Sequence, residues 1–296
     1  MKDSSDQYIN SVNLKAETDF PYLVMEIIND QSYPRNPGFH VMHWHEDVQF
    51  IYVLDGEIAV RTLENRTSVR PGQSIFVNKN IVHMVEHDAP CHYFSFVFPD
   101  VFLRFYAGSP ASGLVDRITG NSFLPVFLFS EEKQWCSEIF SQLKALIRLE
   151  KGNAEAGEYY PYEVLVRLSA LWLVFQKNLP VTDAKAPDAL NARMKAFLRY
   201  IESHYTEEIA LDQLAASASV SVSECTRCFK KAAGITPYRY LTEFRLSRAS
   251  ELLLKTDRPV SVIALDCGFR QASHFGKLFR EKTGYTPREY RRINSA

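Results

Sequence analysis

Along residues 20–98 the apolar positions come in short runs or in alternation: YLVMEII, VQFIYVL, EIAVRTL, SIFV, IVHMV and HYFSFVF. Runs of this length, separated by turn formers such as Asp55-Gly56, Asn65 and Pro71-Gly72, predict an antiparallel barrel or sandwich. After Pro125 the period changes. Trp135, Ile139, Leu143 and Leu146-Ile147 recur at helical spacing, and Val164, Leu168, Leu171 and Phe175 do so between about Tyr162 and Gln176, so two apolar-striped helices follow the strands. The segment LPVTDAKAPDAL, 179–190, has two prolines among small polar residues and predicts an interdomain linker. Beyond it the helical period holds, broken at Thr206-Glu207, Ser219–Ser221, Gly234–Pro237, Thr256–Pro259, Gly268 and Gly284–Pro287. That predicts about seven short helices and no strand.

The expected order is therefore an all-β domain over 1–130, a helical segment with linker over 131–187, and an all-α domain over 188–296. A chain of 296 residues, 46% hydrophobic, can bury a core in each of two domains. Its start, MKDSSDQYIN, lacks the basic stub and apolar run of a leader, and no apolar run is long enough to span a bilayer, so a soluble, cytoplasmic protein with no membrane partner is expected. Five cysteines, at 91, 136, 225, 228 and 267, are odd in number and scattered, which fits a reducing compartment. The net charge of -1 hides an asymmetry: 18 Lys and Arg stand against 12 Asp and Glu from residue 188 on, a net +6, with 16 against 23 before it, a net −7. A basic third suits a polyanion only if a motif supports it.

A repeat supplies one. FKKAAGITPYRY, Phe229–Tyr240, and FREKTGYTPREY, Phe279–Tyr290, agree as F-K/R-x-x-x-G-x-T-P-x-x-Y. Two copies are too few for a solenoid. Each closes a longer unit of helix, tight turn and second helix, over about 209–232 and 260–283. In the first unit Leu211, Leu214 and Ala215 face inward and Ser221 can cap the second helix; in the second, Gly268 suits a sharp turn with positive φ. The second helix of each keeps two faces apart. Cys225, Phe229 and Ala232 are apolar in the first, with Ser223, Thr226, Arg227 and Lys230 outward; Phe275, Leu278 and Phe279 are apolar in the second, with Ala272, Ser273, His274, Lys277 and Arg280 outward. That separation is what a helix reading the major groove needs.

The stretch IALDCGFRQASHFGKLFREKTGYTPREYR, Ile263–Arg291, resembles the signature of the AraC/XylS transcription regulators, I-A-x-x-x-G-F-x-x-x-S-x-F-x-K/R-x-F-K/R-x-x-x-G-x-S/T-P-x-x-Y/F-R. The likeness extends to the helix between the units, where Arg245, Leu246, Ala249, Leu252 and Leu253 resemble the family's connecting-helix core. Cys225 departs from it, standing where leucine is usual. The resemblance implies double-stranded DNA as partner, with base-edge contacts from Ser223, Thr226 and Arg227 and from Ala272, Ser273, His274 and Lys277. Lys230, Lys231 and Arg280 would touch phosphates, which position without reading sequence. Cys225-x-x-Cys228 has zinc-knuckle spacing, but no second pair follows, so buried structural thiols are expected.

Six of the eight histidines lie between residues 40 and 92. His43-x-His45, Gln49 and Gly56 resemble the first cupin motif, H-x-H-(x)3-E-(x)6-G, with an amide for the carboxylate; Gly72 and His83 resemble parts of the second, with Asn78, Asn80 and His87 in place of its Pro, Gly and Asn. On a strand, positions i and i+2 point the same way, which would bring His43 and His45 together. The amide at 49 favours a pocket in which His43, His45, Gln49 and His83 hydrogen-bond a small effector, such as a sugar or related metabolite, over a divalent metal cage; histidines merely satisfied inside the barrel form a third alternative.

The whole reads as a multidomain α+β regulator: a cupin-like β-barrel, a helical dimerisation segment, and a domain with two helix-turn-helix motifs. No cofactor is required. The partners implied are DNA, an effector, a second copy of the chain paired through Trp135, Ile139, Leu143 and Leu168 unless these simply cover the barrel, and RNA polymerase for an activator. A metal-dependent cupin enzyme fused to a DNA-binding domain is the alternative from another class, and a regulator driven by a protein partner is a third.

Overall fold

The computed structural model of the chain describes residues 20–34, 41–106, 108–152, 157–179 and 189–294. They fall into two compact units, one of 20–34 and 44–179, the other of 189–294, with 41–43 counted in the second. Of the predicted linker, 180–188 lie outside the described residues.

The first unit contains strands β1 (Leu23–Ile28), β2 (Gln31–Tyr33), β3 (Val48–Asp55), β4 (Ile58–Thr62), β5 (Arg66–Val69), β6 (Ser74–Val77), β7 (His83–Glu86), β8 (His92–Phe98) and β9 (Val126–Phe129). They pair antiparallel in a six-stranded sheet, β2-β1-β8-β3-β6-β9, and a three-stranded sheet, β5-β4-β7. Turn chemistry sets the register. Between β5 and β6 the Gln73 N–H donates to the Arg70 carbonyl at 3.0 Å around Pro71 and Gly72, the latter at φ +82°, the proline-glycine order of a type II turn.

Successive strand residues face opposite sides. Phe50, Tyr52, Phe76, Phe94, Phe96 and Phe98 turn outward from the larger sheet into a core shared with helices α1 (Ala111–Thr119), α2 (Cys136–Lys151) and α3 (Tyr160–Asn178). Gln49, Ile51, Ser95 and Val97 lie on the opposite face and are also buried. Burial on both faces explains why these strands read as nearly continuous apolar runs. Ile139, Leu143 and Leu168 are buried in the aromatic core and Trp135 packs against it. They cover the sheet, the second of the two alternatives the sequence leaves open for them, because an aromatic sheet face must be shielded from water.

The second unit has, among the described residues, seven helices and no strand: α4 (Ala189–His204), α5 (Leu211–Ala216), α6 (Val222–Ala233), α7 (Pro237–Lys255), α8 (Val260–Asp266), α9 (Ala272–Thr283) and α10 (Pro287–Asn294). The pairs α5–α6 and α8–α9 are joined by related turns. Val220 N–H donates to Ala215 O at 3.2 Å and Phe269 N–H to Ala264 O at 2.9 Å, the closing bond of a Schellman end. The left-handed residue before it is Ser219 at φ +56° in one and Gly268 at φ +80° in the other. A Cβ on Gly268 would lie 2.5 Å from the Tyr205 carbonyl oxygen, so there glycine is required by space as well as by φ.

The repeated Gly-x-Thr-Pro does the same work twice. Gly234 and Gly284, at φ +71° and +78°, end α6 and α9. Thr236 and Thr286 then accept backbone N–H bonds from Arg239 at 3.2 Å and Glu289 at 3.3 Å, and Pro237 and Pro287 open α7 and α10. Of the connecting-helix residues, Leu246, Ala249 and Leu253 are buried. Arg245 donates to the carbonyls of Tyr205 and Glu207, both at 2.6 Å, satisfying acceptors just beyond α4. Leu211, expected inside, is 39% exposed as the first residue of α5.

Candidate nucleic-acid interface and effector site

Helices α6 and α9 each present the two faces that the sequence predicts. Cys225, Cys228, Phe229 and Ala232 are buried on α6, where Phe229 stacks on Phe197 of α4 and meets Tyr240 of α7, both at 5.6 Å between ring centroids. Ser223, Arg227, Lys230 and Lys231 are exposed, and Thr226 is half-buried with its hydroxyl donating to the Val222 carbonyl at 3.0 Å. On α9, Phe275 and Phe279 are buried and Leu278 half-buried, while Ala272, Ser273, His274, Lys277 and Arg280 are all exposed. Ser221 caps α6, accepting from the Glu224 N–H at 3.2 Å.

A residue that the sequence reading passed over organises the start of α6. Glu224 accepts from Arg227 at 2.5 Å through one carboxylate oxygen and from Arg193 of α4 at 2.8 Å through the other. The Arg227 hydrogen bond holds the Glu224 carboxyl below the usual carboxylate range. Ser221-x-x-Glu224 has capping-box spacing, which marks Glu224 as a helix-start residue. Its contact with Arg193, 31 positions away, has no local signature.

Three members of the second constellation, His45, Gln49 and His83, belong to the strand-rich unit. His45 and Gln49 flank the start of β3 and His83 opens β7; all three are buried. His43 and His45 precede β3 rather than sitting on it, which corrects the strand argument for their convergence. What orients the rings is the backbone. Each Nδ1 lies 2.8 Å from a carbonyl oxygen two residues away: His43 to Val41, His45 to Asp47, His83 to Ile81. A carbonyl only accepts, so each Nδ1 carries a proton, and in the neutral ring Nε2 is the lone-pair nitrogen. Burial favours that neutral form by lowering the pKa of His45.

The ligand atoms of His43, His45 and His83 all lie within 4.8 Å of one another. Gln49 Oε1 faces His83 Nε2 at 2.9 Å and His45 Nε2 at 3.4 Å, while its Nε2 donates to Ser95 Oγ at 2.8 Å. Asn80, at φ +65°, donates its N–H to the His45 carbonyl at 2.7 Å, so asparagine takes the left-handed position where the resembled motif has glycine. Asn78 is structural, donating to the Ile118 and Leu124 carbonyls at 2.8 and 3.1 Å, and His87 pairs with Asp30 at 3.4 Å instead of joining the cluster. An arrangement of neutral imidazole lone pairs and an amide oxygen is complementary to a guest rich in donors or to a cation.

The helix-turn-helix domain family matches residues 214–293 and the cupin domain family residues 32–97. The HTH-type transcriptional activator RhaS of Enterobacter sp. strain 638 is 38% identical over 270 residues, covering 89% of this chain and 92% of that protein. The chain belongs to the AraC/XylS family. It is a DNA-binding transcription regulator with a cupin-like domain. The uncharacterized HTH-type transcriptional regulator YdeC of Bacillus subtilis is 27% identical over 265 residues, covering 87% of this chain and 88% of that one. ToxT from Vibrio cholerae O395, at 14% identity and a TM-score of 0.50 over 93% of this chain and 98% of its own, shares the fold.

Within this regulator the CxxC pair is packing. Cys225 and Cys228 are buried, and burial pushes the Cys225 thiol up to about 11, away from the thiolate that metal binding or redox exchange needs. An open groove of about 550 Å³ lies along α2, lined by Lys133, Ser137, Phe140, Lys144 and Arg148 among others. It shares no residue with the histidine constellation.

Proposed function

We propose that this regulator binds a small polyhydroxylated effector inside its barrel, at a site centred on His45, Gln49 and His83 with His43, and that the bound molecule tunes how α6 and α9 engage double-stranded DNA in the cytoplasm. The observation that carries the effector reading is the tautomer set. Three rings with Nδ1–H tied to the backbone turn Nε2 toward one another and the Gln49 oxygen, a set of nitrogens and oxygen that the hydroxyl groups of such a guest can hydrogen-bond. The Tyr93 hydroxyl supports it, buried without a hydrogen-bond partner among the described residues on the same sheet face as Gln49 and Ser95. For the DNA reading, the exposed faces of α6 and α9 carry the chemistry: Ser223, Thr226 and Arg227, then Ala272, Ser273, His274 and Lys277, at base edges, with Lys230, Lys231 and Arg280 on phosphates.

The effector acts only by binding two arrangements of the protein with different affinity. Where the outcome is activation, as the name of RhaS says of that protein, RNA polymerase is a further partner.

One observation favours a second occupant. Backbone-anchored Nδ1 protons are how proteins aim Nε2 at a metal, so a divalent cation fits the same atoms. A thermal-shift series with sugars and polyols, run beside zinc, nickel and manganese on protein stripped with chelator, separates the two. A ligand at a hundred times its dissociation constant adds about 2.7 kcal/mol of stability. Stabilisation by a polyol, abolished by His83→Ala, together with a changed affinity for DNA supports the effector reading; stabilisation by metal alone selects the second, and none by either sinks both.

A further inference from the structure

Of the twelve Lys and Arg side chains among the described residues of the strand-rich unit, seven pair with a carboxylate. Of the five that do not, Lys133, Lys144 and Arg148 line one groove, the opening of about 550 Å³ along α2. Acids are not scarce in this part of the chain, where 23 Asp and Glu stand against 16 Lys and Arg up to residue 187. The sequence leaves this one concave face positive while the surface around it is, on balance, negative. Such a face concentrates anions from solution.

The cations are held in place without being neutralised. Lys133 Nζ lies 4.3 Å from the centre of the Phe127 ring on β9, and Lys144 Nζ 5.8 Å from that of Tyr52 on β3. A ring face attracts an ammonium group and leaves its charge intact. Ser137, Ser141, Lys144 and Arg148 follow one another at helical spacing, so they share one side of α2. Ser137 donates its hydroxyl to the Gln134 carbonyl at 2.8 Å, while the Ser141 hydroxyl is exposed. Phe140, buried and 5.9 Å from the Tyr52 ring, adds an apolar floor.

Charge and size select the guest. The wall carries three cations and one carboxylate, Glu131, and 3 − 1 = +2. A phosphate monoester brings about −1.5 to −2 at pH 7 and three acceptor oxygens, which suit the fork of an arginine and the point charges of two lysines. Grooves of about 300–1,000 Å³ take small molecules.

We propose that this groove is a second ligand site, separate from the histidine constellation, and that it takes a small phosphorylated metabolite with its phosphate on Lys144 and Arg148. The assignment does not depend on what fills the barrel. Isothermal titration of the full-length chain at low salt, with glucose 6-phosphate as probe, should give one equivalent bound with a Kd below about 1 mM, weakening as salt rises. Glucose, lacking the charge, should not bind there. Lys144→Gln combined with Arg148→Gln should weaken the phosphate ester at least about tenfold. Glu131→Gln should tighten it about two- to threefold. Arg117→Gln removes an exposed cation outside the groove that likewise pairs with no carboxylate among the described residues, and should change nothing. All four positions are exposed, and unchanged circular dichroism melts show that the variants fold. Absence of saturable binding, full affinity in the double variant, or an equal loss in Arg117→Gln overturns the site. Citrate binding as tightly as glucose 6-phosphate overturns the phosphate assignment, and tighter capture of an oligoglutamate peptide gives the groove to an acidic protein segment instead.

Discussion

Glu224 holds Arg227 at 2.5 Å at the exposed start of α6, and the same carboxylate takes Arg193 of α4 at 2.8 Å. The guanidinium proposed to read a guanine edge is thus already paired with an acid before DNA arrives. Reading a base requires exchanging that carboxylate for O6 and N7, and the acid also repels phosphates nearby. Replacing Glu224 by Gln should therefore raise affinity for random DNA about three- to tenfold at moderate salt and steepen the salt dependence by about one ion. Fluorescence anisotropy on random and operator duplexes measures both; an unchanged salt slope removes Glu224 from the interface.

Arg227 and Lys230 lie on the same exposed face of α6 but should fail differently. Loss of a bidentate base contact relaxes sequence preference by about 1–3 kcal/mol, whereas loss of a phosphate contact weakens every sequence alike and lowers the salt slope by about one. Arg227→Ala should lower operator affinity far more than random-DNA affinity, and Lys230→Ala should lower both equally. Titration of the two variants against both duplexes decides it, and equal losses for Arg227→Ala would remove it from base reading.

The second unit was legible because its determinants are local. Turn glycines, proline starts and a period of 3.6 lie within a few residues of what they specify, so both helix pairs and their outward faces followed from Leu214 to Lys230 and Ile263 to Arg280. Strands β2, β5 and β9 and helix α1 were not foreseen, since short segments such as QSY and VFLF owe their state to neighbours across the sheet. For the same reason Ile139, Leu143 and Leu168 could not be assigned between partner and core: periodicity shows that a face is buried without showing against what. Resemblance to the cupin motifs suggests the histidine set, but its ring orientation rests on carbonyls of Val41, Asp47 and Ile81 that carry no sequence signal.

Gln49 separates the two occupants proposed for the barrel site. Its oxygen faces His45 and His83 as a metal ligand would, and turned about its last torsion the amide would donate to both lone pairs and accept from Ser95, so one side chain serves a filled and an empty site. Gln49→Glu replaces that adaptability with a fixed anion and completes a three-nitrogen, one-oxygen set. It should raise affinity for manganese or nickel at least about tenfold over wild type. Isothermal titration of chelator-stripped protein measures it, and equal affinity in wild type and variant would place metal binding elsewhere.

Asp100 offers a test of the barrel's acid stability. It accepts from Lys79 at 2.6 Å and from Arg104 at 2.9 Å, and Arg104 continues to Asp116 of α1 at 2.8 Å. Burial by itself would raise the Asp100 pKa, but the hydrogen bonds and charges of Arg104 and Lys79 outweigh it and hold the carboxyl below the usual range. A folded-state value depressed below the unfolded one, about 3.9, contributes stability in full above that value and loses it as the pH falls through the folded value. From pH 7 to pH 5 the network should hold; below about pH 4 it should weaken. Asp100→Asn should cost about 1–3 kcal/mol at neutral pH and, having nothing there to protonate, show a smaller further loss between pH 4.5 and 3 than wild type, by roughly the same amount. The three tryptophans, Trp44, Trp135 and Trp172, all belong to the first unit, so urea unfolding followed by their fluorescence reports on it alone. Parallel acid dependence in wild type and variant would mean that Asp100 does not contribute through its charge.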